Sequence, residues 1–592
     1  MNIRFYSISL SLVTALGFSQ AFAVKAKPGV VEYTQPDGSV VEIMLHGDER
    51  FHYATDAEGW LVIPNSDGEY EYAVADAQNR PVLSGVSILK SASLVRGKLI
   101  YGDEYSLLSA HQDLKVSKFN IESRGGARAV GTGEPKYRYS TSVFPTIGQP
   151  HSLVILVEYP DFGFNVENPV EYYNDFLNGE DFLRDGGTGS CRQYYIENSS
   201  GQFKPTFDVY GPVPLKNNRK YYGGGLEDNA CQMVVEAVKY LDDIVDFSQY
   251  DHNGDGYVDS VYIIYSDKGE ADGGPRESVW PYSWELEEEN IYLTADGVKF
   301  NIYGCSNELK SNDTMDGIGT FTHEFGHVLG LPDLYNTDNT GDYNTPGNWS
   351  LMDNGSYNNG SRTPCNLSSF ERYSLGWLAP SEIVKSGNYT LDELASSNHA
   401  YIMTSDQKKD EFFIMEYRKL EGWDRYLPAS GMLIWHIDFV QKEWDENTPN
   451  NNRKHNYVDL VRADDSKTLS TVAGDPFPGS EGVTSFGINT SPALKTWNGN
   501  PLNVTSISDI HEDGGRICFS AMLTEERPDA GVEDLIEDGT LEIRGNAIHA
   551  NNGRHQIYDV SGRMVGIVSP HNPIFLDDGI YLIGTRKVMI RK

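Results

Sequence analysis

His323 and His327 stand four residues apart, with Glu324 directly after the first, in the run His323-Glu324-Phe325-Gly326-His327. Residues i and i+4 share one face of a helix, so both imidazoles can reach a single metal ion. H-E-x-x-H is the pattern in which that ion is zinc and the glutamate is a base rather than a ligand. A zinc held there lowers the pKa of a water, and Glu324 is placed to take its proton. That is the chemistry of amide hydrolysis. A buried helix with two satisfied histidines would carry the same five letters, so the flanking residues must decide.

The flanks predict a helix from Ile318 to Leu329, with Ile318, Phe321, Phe325, Val328 and Leu329 supplying its core contacts. Gly330 permits the left-handed turn that ends a helix, and Pro332 prevents its resumption. Asp333 follows six residues after His327, so the whole stretch reads H-E-x-x-H-x-x-G-x-x-D. This is metzincin spacing, with an acid where that group more often has histidine. A catalytic zinc takes three protein ligands and keeps one open position. Asp333 is the expected third; a distant carboxylate, Glu371, is the alternative. Met352, within Trp349–Asp353, is the expected hydrophobic floor of the metal, a Met-turn. Tyr357 and Tyr373 follow it, and either could donate to a developing oxyanion.

A second constellation precedes the helix. Asp251-His252-Asn253-Gly254-Asp255-Gly256-Tyr257-Val258-Asp259 reads D-x-N-x-D-G-x-x-D. These match positions 1, 3, 5, 6 and 9 of a calcium loop. Asp251, Asn253, Asp255 and Asp259 offer side-chain oxygens, and Tyr257 offers its carbonyl. The bidentate Glu of a full EF-hand is absent, since Tyr262 stands at that position, and the loop leads into a strand. Asx turns use the same residues. The expectation is a structural calcium site beside the active-site strand. His436, in the apolar run Trp435–Asp438, reads as a satisfied core histidine rather than a ligand.

The chain has 592 residues and a formal charge of −37, which excludes nucleic acid as a partner and suits a soluble exported protein. Arg4, the apolar stretch Ile8–Phe18 and Ala21-Phe22-Ala23 form a signal peptide, so the mature chain is expected to begin at Val24. No other segment is apolar and long enough to span a bilayer as a helix. Five cysteines, Cys191, Cys231, Cys305, Cys365 and Cys518, contain no C-x-x-C pair and therefore imply no second zinc site. None precedes Cys191, which rules out a pro-region thiolate as a cap on the zinc.

Strand-like runs and turn signals fill 24 to about 110, and a polar stretch with Arg124 and Arg128 follows. This reads as a pro-segment with linker, 24–142, cut near Arg124 or Arg128, or as a plain interdomain linker. Strands alternate with helices over 143–387, strands alone fill 388–525, and a linker with a small β unit fills 526–592. The fold class is α+β: a zincin, metzincin-like catalytic domain flanked by an N-terminal β pro-domain, an all-β domain and a small C-terminal β domain.

Several stretches, in order, resemble the immune-inhibitor-A family of secreted bacterial zinc metallopeptidases. They are GQFKPTFDVYGPV (Gly201–Val213), DFSQYDHNGDGYVDSVYIIY (Asp246–Tyr265), VWPYSW (Val279–Trp284), HEFGHVLGLPDLY (His323–Tyr335), NWSLMDNGSY (Asn348–Tyr357) and SFERYSLGWLAP (Ser369–Pro380). The resemblance implies a secreted zymogen with zinc at His323 and His327 and Glu324 as general base. The tail, with IYDVSGRMV, GIYLI and KVMIRK, resembles a type IX secretion sorting domain, which implies the secretion machinery as a partner.

These readings combine into an extracellular or cell-surface zinc endopeptidase acting on protein or peptide substrates and made as a zymogen. The alternative from another class is a non-catalytic, calcium-stabilised surface binding protein on a zincin scaffold. An intact His323, Glu324 and His327 set is not needed for that role.

Overall fold

The computed structural model describes residues 22–49, 51–78, 80–103, 135–224, 229–338, 345–466 and 468–524, and most of 541–590 as strands. The export core Ile8–Phe18, the segment with Arg124 and Arg128, and the linker 525–540 lie outside the described residues.

Apolar runs without alternation are expected to be strands buried on both faces. Two such runs, His151–Glu158 and Val261–Lys268, lie side by side and parallel, with the more polar Ile302–Leu309 parallel beside the second and Thr206–Pro214 parallel at the edge beside the first. At the other edge Tyr282–Glu285 runs antiparallel to Ile302–Leu309. The two-residue strand Phe22–Ala23 pairs antiparallel with it, completing a six-stranded sheet. The strand Tyr282–Glu285 begins inside the aromatic run Trp280–Trp284.

Alternate residues of the central strands enter two cores, one on each face. Leu153, Ile155, Ile263 and Val261 pack with the helix Cys231–Leu241. Val154, Leu156, Tyr262 and Ile264 pack with the helix Ile318–Leu329, whose Phe321 and Phe325 meet Phe207 edge-on at 5.1 and 5.2 Å. This second core does not stop at residue 387. It runs on into Phe412, Ile414, Trp435, Ile437 and Leu460.

Those residues belong to a five-stranded sheet made of Ser381–Glu382, Tyr401–Thr404, Glu411–Arg418, Gly431–Asp438 and Val458–Val461. A four-stranded sheet, with Val504–Asp513 and Arg516–Leu523 at its centre, packs behind it around Met415, Ile434, Ile507 and Phe519. Residues Val30–Ser87 form a six-stranded meander, and the tail forms two small antiparallel sheets. All five cysteines are free thiols, and four of them are buried. No helix among the described residues is long and apolar enough to cross a membrane.

Candidate metal centre

The helix Ile318–Leu329 has the predicted bounds, and all twelve of its residues are buried. Burying each large apolar side chain contributes about 1.5–3 kcal/mol. Five of them on this helix offset the cost of taking Glu324 and two histidines out of water. Gly330 ends the helix at φ 104°, a left-handed turn that a side chain would strain. Leu331 N–H then bonds back to the Gly326 carbonyl at 3.0 Å, and the chain reverses toward the helix.

That reversal brings Asp333 to the histidines. Asp333 Oδ1 lies 3.1 Å from His323 Nε2 and 3.4 Å from His327 Nε2. Each imidazole donates Nδ1–H to a backbone carbonyl: His323 to Leu351 at 2.9 Å and His327 to Leu331 at 2.8 Å. These bonds fix the tautomer and leave both Nε2 atoms as lone-pair donors. Three electron-rich atoms therefore converge at a site with almost no solvent access, a costly arrangement that a cation relieves. A tetrahedral zinc with ligands about 2.0–2.1 Å away sets those ligands about 3.3 Å apart. The measured 3.1 and 3.4 Å agree with that spacing. Among the described residues, His323, His327 and Asp333 are the one such group of three or more His, Cys, Asp or Glu side chains.

Charge at the site follows from this packing. Burial alone would raise the Asp333 pKa, but the two imidazoles outweigh it and hold the carboxyl well below its ordinary range. Burial lowers His327, against the pull of Asp333. Burial raises Glu324 strongly, and the nearby Asp333 charge adds to it. A raised carboxylate is what a general base working near neutral pH needs.

Met352 lies directly under the helix: a Cβ at Gly326 would come within 2.7 Å of its sulfur. Met352 O accepts from Leu334 N at 2.7 Å, tying the floor to the ligand loop. Glu371, the alternative ligand, is committed elsewhere. It accepts from Ser350 Oγ at 2.8 Å and from Ser368 N at 2.6 Å, closing a capping box. Tyr373 packs among Tyr137 and Phe412, whereas Tyr357 reaches the cleft.

The cleft is occupied by the chain's own N-terminal segment. Val24 N donates to Glu324 Oε1 at 2.9 Å, Trp280 Nε1 donates to Val24 O at 3.0 Å, and Tyr357 Oη donates to Lys25 O at 2.7 Å. Lys27 Nζ pairs with Asp272 at 2.8 Å. Asp48, a carboxylate of the N-terminal meander, accepts from Phe51 N within its own turn. The group touching the base is instead a backbone amide, a contact across 300 residues that no local pattern announces.

In the oxygen-rich loop, Asp251 accepts from Gly254 N, Asp255 N and Gly256 N at 2.8–3.1 Å, and Asp255 accepts from Tyr257 N at 2.9 Å. Asn253 Oδ1 accepts from Asp255 N at 2.9 Å. Asp259 Oδ2 is held by His252 Nδ1 at 2.8 Å, while its Oδ1 is buried and has no hydrogen-bond partner. The three carboxylates do not converge as closely as the histidine–aspartate group does. His436 Nε2 donates to Glu411 Oε1 at 3.0 Å and the ring stacks on Phe413, a core histidine as the sequence suggested.

Residues 150–380 match the model of the immune inhibitor A peptidase M6 catalytic domain. The chain is 28% identical over 256 residues, 35% of its length, to the pre-pro-metalloprotease PrtV of Vibrio cholerae serotype O1. It is 27% identical over 247 residues, 35% of its length, to immune inhibitor A of Bacillus thuringiensis subsp. alesti. The chain spans 27% of the first relative and 36% of the second. Residues 150–380 are thus similar to a peptidase M6 catalytic domain, and these relatives carry metalloprotease and immune inhibitor A names.

Proposed function

We propose that this chain is a secreted zinc endopeptidase, made as a latent precursor, that hydrolyses peptide bonds of extracellular proteins. The observation that carries it is the convergence of His323 Nε2, His327 Nε2 and Asp333 Oδ1 at zinc-ligand spacing. Zinc bound there supplies Lewis acidity toward water and the scissile carbonyl. Glu324 takes the water proton and returns it to the leaving amine. Tyr357, with its hydroxyl on the carbonyl of the segment in the cleft, is the group that grips a substrate carbonyl. Hydrolysis of unfolded casein, abolished by a chelator, distinguishes this from a binding protein on the same scaffold, which would release no peptides.

Latency rests on the segment that covers Glu324. Cleavage after Ala23 would turn the Val24 amide into an α-amine, a cation against a buried carboxylate. Full-length protein is expected to hydrolyse casein slowly, and a chain starting at Pro28 rapidly. Equal rates in the two would end the zymogen reading. The meander docks through His52, which meets Glu270 at 3.0 Å and stacks on Trp280. Burial opposes protonation of His52, but Glu270 and the Asp48 carbonyl outweigh it, so its pKa is raised, with Arg276 opposing. This contribution to docking is complete below the ordinary histidine pKa and is lost as pH rises through the raised one. Latency therefore weakens toward alkaline pH, and an activation rate that is flat with pH would contradict this.

The Asp251–Asp259 loop is proposed to hold a structural calcium, with Asp259 exchanging His252 for the ion. A site saturated 100-fold above its Kd stabilises by about 2.7 kcal/mol. Calcium is thus expected to raise the melting temperature of wild type and not of Asp255→Ala; no calcium effect on wild type leaves the loop a simple turn. The tail's two compact sheets suit the sorting role its sequence resembles. Truncation after residue 539 is expected to abolish export and keep activity, and normal export of that truncation would refute it.

A further inference from the structure

We infer that Asn447, from the strand-rich region beyond the matched peptidase domain, is the positioning residue that aims Asp333 at the metal. This rests on the reading of Asp333 as a zinc ligand. Asn447 is fully buried and sits 114 residues from Asp333, just past the short helix Gln441–Asp445. Its Nδ2 donates to Asp333 Oδ2 at 2.7 Å, and its Oδ1 accepts from Asp333 N at 2.8 Å. One side-chain amide thus grips both the carboxylate and the backbone of the same residue. Tyr139 Oη donates to the same Oδ1 at 3.1 Å. Two donors on Oδ1 and one acceptor before Nδ2 leave the amide a single orientation.

The consequence falls on the carboxylate. With Oδ2 held by Asn447, the plane of the group is set, and Oδ1 alone faces the two imidazoles. A ligand carboxylate held by an outer hydrogen bond keeps its geometry and its charge, and loss of such a partner costs about 10–100-fold in metal affinity. The surrounding loop is built to keep Asn447 in place. Thr337 Oγ1 donates to Asn447 O at 2.7 Å, and Asn450 Nδ2 donates to Leu334 O at 2.7 Å. Asn451 Oδ1 accepts from Thr337 N at 2.8 Å. The segment after Asp333 is therefore stitched to the strand-rich region, which shares its hydrophobic core with the metal helix. The metal centre is completed by residues outside 150–380.

The test uses full-length protein with Asn447→Asp and Asn447→Leu. Asn447→Asp keeps both accepted hydrogen bonds and the side-chain size but replaces the donor by a second carboxylate. Asn447→Leu removes both. Zinc affinity is measured by competition with a chromophoric chelator, the visible spectrum of the cobalt-substituted site reports geometry, and melting of the metal-free protein reports fold. The expected result is a 10–100-fold loss of zinc affinity and an altered cobalt spectrum in Asn447→Asp. The same zinc affinity and cobalt spectrum as wild type in either folded variant overturns the inference, even if melting temperature falls. Asp333→Ala run alongside separates the two readings. If it too retains zinc, the Asp333 assignment has failed; if it loses zinc while Asn447→Asp does not, only the positioning role has failed.

Discussion

Glu324→Ala is expected to lower casein hydrolysis by at least about 10²–10⁴-fold, the worth of general-base assistance alone, while zinc content stays unchanged. Glu324 is not among the three converging ligand atoms, so its removal leaves the zinc site whole. It also removes a buried carboxylate whose pKa burial raises strongly, so the folded protein is not expected to suffer. The variant would still be covered by the N-terminal segment, so the comparison is made on protein starting at Pro28. Steady-state rates against zinc content check it. Undiminished turnover in a zinc-loaded Glu324→Ala protein would remove the base from the mechanism.

Asp333→Ala is expected to lower zinc affinity by well over the roughly 100-fold of an outer-shell change, since a direct ligand is lost. Glu371→Ala is expected to leave zinc affinity alone and to reduce stability instead. Its carboxylate serves the cap of the helix Ser369–Ser374 and the Ser350 hydroxyl, which in turn accepts from Met352 N at 3.0 Å. Equilibrium dialysis of both variants, with melting curves, checks the pair. Zinc retained by Asp333→Ala and lost by Glu371→Ala would invert the assignment.

How much of this was legible in the sequence depends on the range of each contact. The helix Ile318–Leu329 was legible to the residue, because its signals are local: periodicity, Gly330 and Pro332. The third ligand was not settled, because both Asp333 and Glu371 lie beyond the helix and only the path of the chain separates them. The parallel strands around Leu153 and Ile263 declared themselves as apolar runs, while Ile302–Leu309, with Ser306, Asn307 and Glu308, did not. Its polar side chains are buried, and Asn307 is satisfied by Leu309 O. Nothing local to Tyr282–Glu285 says that the distant segment Phe22–Ala23 pairs with it. Val24 on Glu324 and Asn447 on Asp333 are invisible for the same reason. Each is an ordinary residue made specific by a partner far off in the sequence, 300 residues away for Val24 and 114 for Asn447.

The central claim is that one zinc, held by His323, His327 and Asp333, is required for peptide-bond hydrolysis. The measurement that tests it most directly is titration of zinc into chelator-stripped protein starting at Pro28, with peptides released from casein counted by mass spectrometry. Hydrolysis is expected to be absent in the stripped protein, to rise in proportion to added zinc, and to level off at one zinc per chain. Peptide release by the fully stripped protein, or none at any zinc occupancy, would contradict the account.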